Sequence, residues 1–324
     1  MIQVKILING TDVTRDLSPF LRGVSYVDEL SGKTDSLTID LADVDSRFIG
    51  DWLPERGSTL ALTFINEEEE LELGAFEVDE LDWSTPPTVM KLKGNSCPQN
   101  SALRQVDSSR SWENCKLSDI ARDIADNAGV ELFYKAQDDP QITRAEQGEE
   151  SALAFLDKLC RKNYLALKFS DNQIIIFDER ELDNSSPALT IRRGDQILKK
   201  IQIRTTLTEI YKECEVSYRH GKKDELFKAT CSDPSKSDGK TLKINRRVES
   251  QAEAEKLAEN ELREKNKKEN SLTLNCVGDF RLLAGNVITL DGFGTFDGNW
   301  LIERATHSVG NQGYETRLEA RKCL

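Results

Sequence analysis

The chain has 324 residues, of which 38% are hydrophobic and 31% are charged, and its formal net charge at pH 7 is −13. A length above 300 residues favours two or three domains, because single hydrophobic cores stop growing near this size. The negative charge argues against a protein that grips the nucleic acid backbone, since that task requires a basic face. The composition therefore indicates a soluble globular protein. Binding of a polyanion would require a local basic patch, since the overall charge repels it.

The sequence starts MIQVKILING, which lacks the apolar run of a signal peptide, so we expect no secretory leader. The longest strongly apolar run is Ile174–Phe177, far below the roughly twenty residues of a spanning helix, so we expect no membrane insertion. No CxxC pair is present, which disfavours a structural zinc site and predicts mostly reduced thiols. The cysteines are Cys97, Cys115, Cys160, Cys214, Cys231, Cys276 and Cys323.

Residues 1–96 have the alternating pattern of half-buried β-strands and are predicted to form one β domain. Asn9-Gly10 is a turn signal after the first strand. Glu67–Glu70 is predicted to be a solvated loop, because adjacent like charges repel one another. The predicted strands are Val4–Ile8, Ser36–Leu41, Thr59–Phe64 and Ala75–Val78.

In residues 97–183 the apolar residues recur at the spacing of an α-helix, and this range is predicted to form a small α+β domain. The first helix ends before Gly129, a suitable C-terminal cap, and the second places Cys160 on its apolar stripe, which predicts a core residue. A hairpin follows, with its turn at Ser170-Asp171-Asn172. The apolar stripes are Leu117, Ile120, Ala121, Ile124 and Ala128 in the first helix, and Ala152, Phe155, Leu156, Leu159 and Cys160 in the second.

Residues 184–324 are predicted to form a second β domain with an inserted helix near 250–268, where Ser250 and Glu253 have capping-box spacing. Asp183–Pro187 is rich in structure breakers and marks the boundary. Cys231–Lys240 is predicted to be a mobile loop. The predicted strands are Ile197–Thr205, Tyr211–Tyr218, Leu272–Val277, Asn286–Leu290, Trp300–Val309 and Tyr314–Ala320. In the last strand one predicted face holds Tyr314, Thr316, Leu318 and Ala320, and the other holds Glu315, Arg317, Glu319 and Arg321.

The stretch DGFGTFDGN, residues 291–299, has the composition of a loop that binds a phosphate or a calcium ion. A phosphate loop requires G-x-G-x-x-G before a helix, whereas Gly292, Gly294 and Gly298 are spaced differently and precede a predicted strand. The acidic and amide residues do not supply the ligand pattern of an EF-hand. We therefore predict a tight connection between two strands, in which glycines provide positive φ angles.

The two histidines, His220 and His307, do not form the short-spaced pair of a zinc hydrolase. Cys214 lies six residues before His220, and this proximity neither establishes nor dismisses a nucleophile pair. His307 is predicted to be a hydrogen-bonded structural residue. Carboxylates are numerous, but no spacing selects a two-carboxylate glycosidase site. We therefore predict no catalytic, cofactor-binding or metal-binding residues and no cofactor.

Two parts of the chain resemble the bacteriophage late control D family, the baseplate hub proteins of contractile tails, which are related to the N-terminal part of type VI secretion spike proteins. In residues 100–180 the resemblance lies in the first helix, the Gly-Val and short strand after it, and a motif that opens the second helix. In residues 200–322 it lies in a charged helix followed by G-x-W-x-I, a histidine and Y-x-T-x-L. The motif residues of the second helix are Gln147, Glu150, Ser151, Phe155 and Leu156.

The resemblance implies an α+β, mainly β fold, in which two tail-tube-like β-barrel domains flank the small α+β domain. It also implies a homotrimer, whose three chains would present six tube-like domains to a sixfold tail tube and meet a threefold spike at the other end. Because the sequence stops soon after the last family strand, we expect the trimeric spike to be a separate polypeptide.

The implied function is a structural baseplate hub of a contractile phage tail or phage-like injection particle, located in the virion and assembled in the bacterial host cytoplasm. The implied partners are the tail tube protein, the spike protein and other baseplate proteins. Three chains would carry about −39, three times −13, so DNA is expected only as passing cargo. Two alternatives stay open, a peptidoglycan hydrolase of the tail tip and a carbohydrate-binding tail module. No motif favours the hydrolase, so we predict that the chain is not an enzyme.

Overall fold

The computed structural model describes residues 2–98, 101–105, 110–220, 225–248 and 250–324, with only the backbone described at positions 220 and 225. Strands dominate this part of the chain. The strands are β1 Gln3–Ile8, β2 Thr11–Asp12, β3 Leu21–Glu29, β4 Ser36–Ala42, β5 Thr59–Ile65, β6 Glu70–Ser84, β7 Val89–Asn95, β8 Arg110–Lys116, β9 Glu131–Tyr134, β10 Gln141–Gln147, β11 Ala166–Ser170, β12 Gln173–Phe177, β13 Leu189–Arg192, β14 Leu198–Thr205, β15 Tyr211–His220, β16 Glu225–Ser232, β17 Lys240–Ile244, β18 Asn270–Val277, β19 Val287–Asp291, β20 Gly298–Gly310 and β21 Gly313–Lys322. The helices are α1 Thr14–Leu17, α2 Leu117–Ala128, α3 Ala152–Lys162, α4 Glu179–Asp183 and α5 Gln251–Asn266.

Local sequence signals explain the ends of the main helices. Gly129 follows α2 with a φ of 66°, a left-handed conformation that glycine adopts without a steric penalty. Ser151 begins α3 by accepting a hydrogen bond from the Ala154 amide, and Ser250 begins α5 by accepting one from the Glu253 amide. The three predicted helices are therefore confirmed, together with the predicted caps at Gly129 and Ser250.

One large sheet contains thirteen of the described strands. Its strand order is β14-β18-β21-β20-β3-β4-β7-β6-β5-β1-β2, and β19 joins β20 to β13. The pairing of β3 with β20 connects the first β region to the last, with Asp28 opposite Ala305 and Val24 opposite Val309. Within the described residues the path runs from β14 to β2 and does not return to its start.

Strand β20 connects the two β regions because its two halves have different neighbours. Its first residues pair with β19, from Leu301 opposite Val287 to Gly298 opposite Leu290. A register shift near Glu303 follows, and the second half pairs with β3. An irregularity of this kind bends a strand and changes its twist, which allows one strand to serve both regions.

Separate hydrophobic cores lie on this framework. The first β region encloses a core around Phe64 and Phe76, and the last encloses one around Trp300. Helices α2 and α3 cover the sheet β11-β12-β9, and α5 covers the sheet β16-β15-β17. Cys160 is fully buried in the α2–α3 core, as predicted.

One prediction about the last region is wrong, and one strand has an unexpected buried charge. Cys231–Lys240 is not a loop throughout, because Cys231 and Ser232 end β16 and Lys240 begins β17. Arg321 lies on the charged face of β21 but is only 2% exposed. Its position is covered by α4, which supplies the carboxylate of Asp183 as a partner, so a buried arginine interrupts the alternation.

All seven cysteines lie in the described residues and are free thiols, as predicted for most of them. Burial raises the pKa of Cys160 and of Cys276 to about 12. Since the thiolate is the reactive form, we expect both to resist a short iodoacetamide pulse at pH 8 in the native protein, while partly exposed Cys231 reacts. Peptide mass spectrometry measures the labelling, and a denatured sample provides the control. Native labelling of Cys160 as fast as that of Cys231 would contradict the buried assignment.

Candidate functional site

The DGFGTFDGN stretch closes the β19–β20 hairpin, as predicted. Gly292 and Gly294 have φ angles of 85° and 70°, which only glycine adopts readily. The Trp300 indole NH donates to the carbonyl oxygen of Phe296 at 3.1 Å, and the Asp297 carboxylate accepts from the Phe293 amide at 2.6 Å. The loop is therefore held by its own groups and by the core tryptophan.

His307 is a buried structural residue at the β3–β20 junction, as predicted. Its Nε2 donates to the Leu282 carbonyl oxygen at 2.9 Å, so Nδ1 is free to accept from the Tyr314 hydroxyl at 2.7 Å. The imidazole also stacks between Tyr26 of β3 and Tyr314 of β21. Burial lowers the pKa of His307, which favours the neutral ring that this network requires. The side chain of His220, the other candidate of the pair with Cys214, lies outside the described residues.

A buried charge cluster lies where the α+β region contacts both β regions. Lys168 of β11 directs its ammonium group to the carboxylates of Asp28 and Asp35, with Nζ 3.5 Å from Asp35 Oδ2. The same ammonium group donates to the Glu29 carbonyl oxygen at 2.9 Å. Asp28 and Asp35 are 3% and 1% exposed, so the cluster contains one cation and two carboxylates with little solvent.

Backbone and hydroxyl donors complete this cluster, which we call the Lys168 junction. The second oxygen of Asp28 accepts from the Ala284 amide at 2.8 Å, which connects β3 to the loop before β19. Asp35 accepts from the Glu29 amide at 2.9 Å and from the Ser170 hydroxyl at 2.8 Å. Residues from all three parts of the chain therefore meet at one set of hydrogen bonds.

The Lys168 junction predicts a pH dependence of stability. Burial raises the pKa of Asp35 to about 6, although the nearby Lys168 ammonium group opposes this shift and Asp28 adds to it. A carboxyl group whose pKa is raised by folding stabilises the folded state fully at a pH below its ordinary pKa of 3.8. This contribution to stability is lost as the pH rises through 6. We therefore expect Asp35→Asn to remove part of any decrease in stability between pH 4 and pH 6, as measured by urea denaturation at each pH. An unchanged pH profile in this variant would contradict the assignment.

A second buried ion pair joins the end of β21 to α4 and α5. Arg321 donates from Nη1 to Asp183 Oδ1 at 2.8 Å, and Arg263 of α5 binds the other oxygen of the same carboxylate. The side chains of Arg321 and Asp183 are 3% and 1% exposed. Nearby, Lys267, the residue that follows α5, pairs with Glu179 of α4 at 3.1 Å. The helical insertion α5 is thus attached to the last β region by charge pairs as well as by its apolar face.

The ends of the large sheet are its exposed backbone edges. Within the described residues, β14 pairs only with β18, β2 pairs only with β1, and β13 pairs only with β19. Strand β14 carries Lys199 and Lys200 next to a register shift, features that discourage unspecific pairing of an edge strand. The large sheet therefore ends in edge strands of different sequence.

No reactive centre stands out among these groups. Among the described residues, no three His, Cys, Asp or Glu side chains are grouped so that they could hold a metal ion. No helix in the same part of the chain is both long and apolar enough to cross a membrane. The buried polar residues instead make contacts between parts of the chain, so the features that call for a functional explanation are the junctions, the sheet edges and the exposed surfaces.

The model of the phage tail baseplate hub (GPD) family matches residues 96–313, which is more than half of the chain. The chain belongs to the phage tail baseplate hub family. The hub is 23% identical over 362 residues to the probable baseplate hub protein of Escherichia phage 186, a match that covers 97% of the hub and 91% of that relative. The family predicted from the sequence is therefore confirmed.

Solved tail proteins share the fold of the hub. The 43 kDa tail protein of prophage MuSo2 from Shewanella oneidensis superposes with a TM-score of 0.76 at 13% identity, covering 99% of the hub and 98% of that chain. The E. coli protein c3393, a component of the type VI secretion system with structural similarity to the T4 tail proteins gp27 and gp5, superposes with a TM-score of 0.59 at 12% identity. That match covers 98% of the hub and 76% of c3393. The mainly β fold class is thus confirmed, and the hub is a structural protein of the tail baseplate.

Proposed function

We propose that the hub forms a homotrimeric ring that adapts a sixfold tail tube to a threefold spike. In this proposal the chain consists of two tail-tube-like domains, residues 1–96 and 184–324, with the α+β domain 97–183 between them. Each chain then fills two of six neighbouring positions in the ring. The spike protein, the tail tube protein and other baseplate proteins are its partners.

The pairing of β3 with β20 is the observation that supports this proposal most strongly. It runs through seven residue pairs, from Gly23 opposite Gly310 to Glu29 opposite Arg304. Arg304 also binds the Glu29 carboxylate through two nitrogens, at 2.6 and 2.9 Å. A hydrogen-bonded pairing of this length fixes two β regions side by side, and adjacent positions in one ring need such an arrangement.

We further propose that the hub has no enzymatic activity, that it assembles in the host cytoplasm, and that DNA passes through the ring as cargo. The relatives are named for a baseplate role, which supports a non-enzymatic function. A peptidoglycan zymogram tests this point. No clearing is expected from the hub, and clearing that disappears when one carboxylate is replaced would contradict it.

Co-expression tests the ring. The hub is produced with the spike and tube proteins of the same particle, and the mass of the purified complex is determined by native mass spectrometry. We expect three hub chains with three spike chains. A complex with one, two or six hub chains for each spike trimer would contradict the proposed symmetry adaptation.

A further inference from the structure

One end of the first β region exposes a cluster of large apolar side chains. The cluster lies between β4 and β5 and at the end of β6, where Val89 of β7 pairs with both Ala42 and Ser84. It contains half of the ten large hydrophobic side chains that are exposed among the described residues. We call it the end patch, and its members are Val44, Ile49, Trp52, Leu53 and Trp83.

The end patch is held in a fixed shape by contacts within the chain. The buried carboxylate of Asp43 accepts from the Phe48 amide at 3.2 Å and from the Trp83 indole NH at 3.0 Å. Trp52 packs edge-on against Phe48, with ring centroids 6.1 Å apart. The Arg47 guanidinium lies 5.4 Å from the Trp52 ring. A surface that is already ordered loses little conformational entropy when a partner binds.

A groove of about 210 Å³ opens beside Trp52 and continues the end patch into the core. Its floor is apolar and includes Leu41 and Phe48. The charged residues of its lining, within the described chain, are Asp16 and Asp51, and both are exposed. Neither carboxylate has an ion-pair partner in that part of the structure. The groove therefore combines an apolar floor with two unpaired negative charges at its rim.

We propose that the end patch and this groove bind a second tail protein, which inserts a lysine or arginine flanked by apolar side chains. The long apolar stem of such a residue fits an apolar floor while its cationic head remains at the rim. Asp16 and Asp51 supply the complementary charge. Trp52 and the exposed aliphatic residues around it supply the apolar contacts that dominate binding at interfaces.

The occupant is a different protein rather than another hub chain. The end patch lies at the ends of strands, whereas the contacts between copies in the proposed ring use the flanks of the β regions. Another copy would also bring a formal charge of −13 to an acidic rim. This inference rests on the proposed hub function, because it assigns one of the partners of the ring to a particular surface.

Binding of the spike protein and the tube protein to full-length hub variants tests the inference. Asp16→Asn/Asp51→Asn is expected to weaken binding of one of the two proteins about tenfold, since two charge contacts are lost, and to reduce the salt dependence of that binding. Ile49→Ser is expected to weaken the same interaction by about tenfold or more, through loss of apolar contact. The matched controls are Glu67→Gln/Glu68→Gln, which removes two exposed carboxylates elsewhere, and Leu207→Ser, which removes an exposed leucine.

The outcomes separate this inference from the hub function. The inference is supported if both patch variants lose binding to the same partner protein while the mass of the hub trimer is unchanged and the control variants bind normally. Wild-type binding by both patch variants overturns it and leaves the proposed ring intact. Loss of the trimer itself in Ile49→Ser overturns it in favour of a contact between copies. A wild-type hub that binds neither protein overturns both proposals.

Discussion

Replacing Lys168 by methionine is expected to lower the free energy of unfolding by about 3–5 kcal/mol, because it leaves two buried carboxylates without their cation. Methionine keeps the apolar stem, so the expected loss reports the missing charge rather than a cavity. Asp28 and Asp35 are both nearly inaccessible to solvent, and neither has another ammonium or guanidinium group in the Lys168 junction. Urea denaturation followed by circular dichroism measures the change.

The control for this variant is Lys93→Met. The Lys93 ammonium group binds Glu80 at 2.7 Å, but both side chains are well exposed, so we expect a much smaller loss of stability than in Lys168→Met. Adding Asp28→Asn and Asp35→Asn to Lys168→Met should recover much of the lost stability, since no buried charge then lacks a partner. A Lys168→Met variant as stable as Lys93→Met would show that the Lys168 junction does not hold the three regions together.

Replacing Asp183 by alanine is expected to cost a similar amount, about 3–5 kcal/mol, at the other junction. The carboxylate of Asp183 binds both Arg321 and Arg263, and the side chain of Arg321 is only 3% exposed. The remaining carboxylates near Arg321 are farther away, with Glu179 at 3.6 Å and Glu303 at 3.7 Å. Removal of Asp183 therefore takes the closest counter-charge from a buried guanidinium group, which keeps only the longer contacts with Glu179 and Glu303. Denaturation midpoints in urea and heat measure the effect.

Asp45→Ala is the matched control for Asp183→Ala. Asp45 pairs with Arg47 at 3.1 Å, and both side chains are exposed, so the expected loss is below about 1 kcal/mol. The double variant Asp183→Leu/Arg321→Met removes both charges and should be more stable than Asp183→Ala. If Asp183→Ala and Asp45→Ala were equally stable, the pair at Asp183 would not anchor α5 to β21 as the geometry indicates.

The sequence predicted elements whose signals are local. The spacing of apolar residues, the caps and the turn residues identified α2, α3, α5 and strands such as β4 and β21, because these signals arise within a few residues. Strands β3 and β7 were not predicted. Strands β8 and β10 were missed because their exposed, polar sequences carry little alternation. The loop assigned to Cys231–Lys240 failed at both ends because the hydrogen bonds of β16 and β17 come from β15.

Long-range contacts could not be predicted in the same way. The pairing of β3 with β20 joins positions as distant as Gly23 and Gly310, and no local pattern encodes that partner. The burial of charged residues could not be predicted for the same reason. In the sequence alone, Lys168 and Arg321 resemble surface residues, because their carboxylate partners lie far away along the chain. The ordered set of motifs nevertheless identified the family, because it extends over the whole middle and end of the chain.

The copy number and symmetry of the hub in an intact particle test the central claim most directly. Cryo-electron microscopy of the baseplate, refined without imposed symmetry, would show both. We expect three hub chains in one ring, each supplying two β regions to six equivalent positions beneath the first ring of tube subunits. Six hub chains in that layer, or three chains with only one β region each in the ring, would contradict the account.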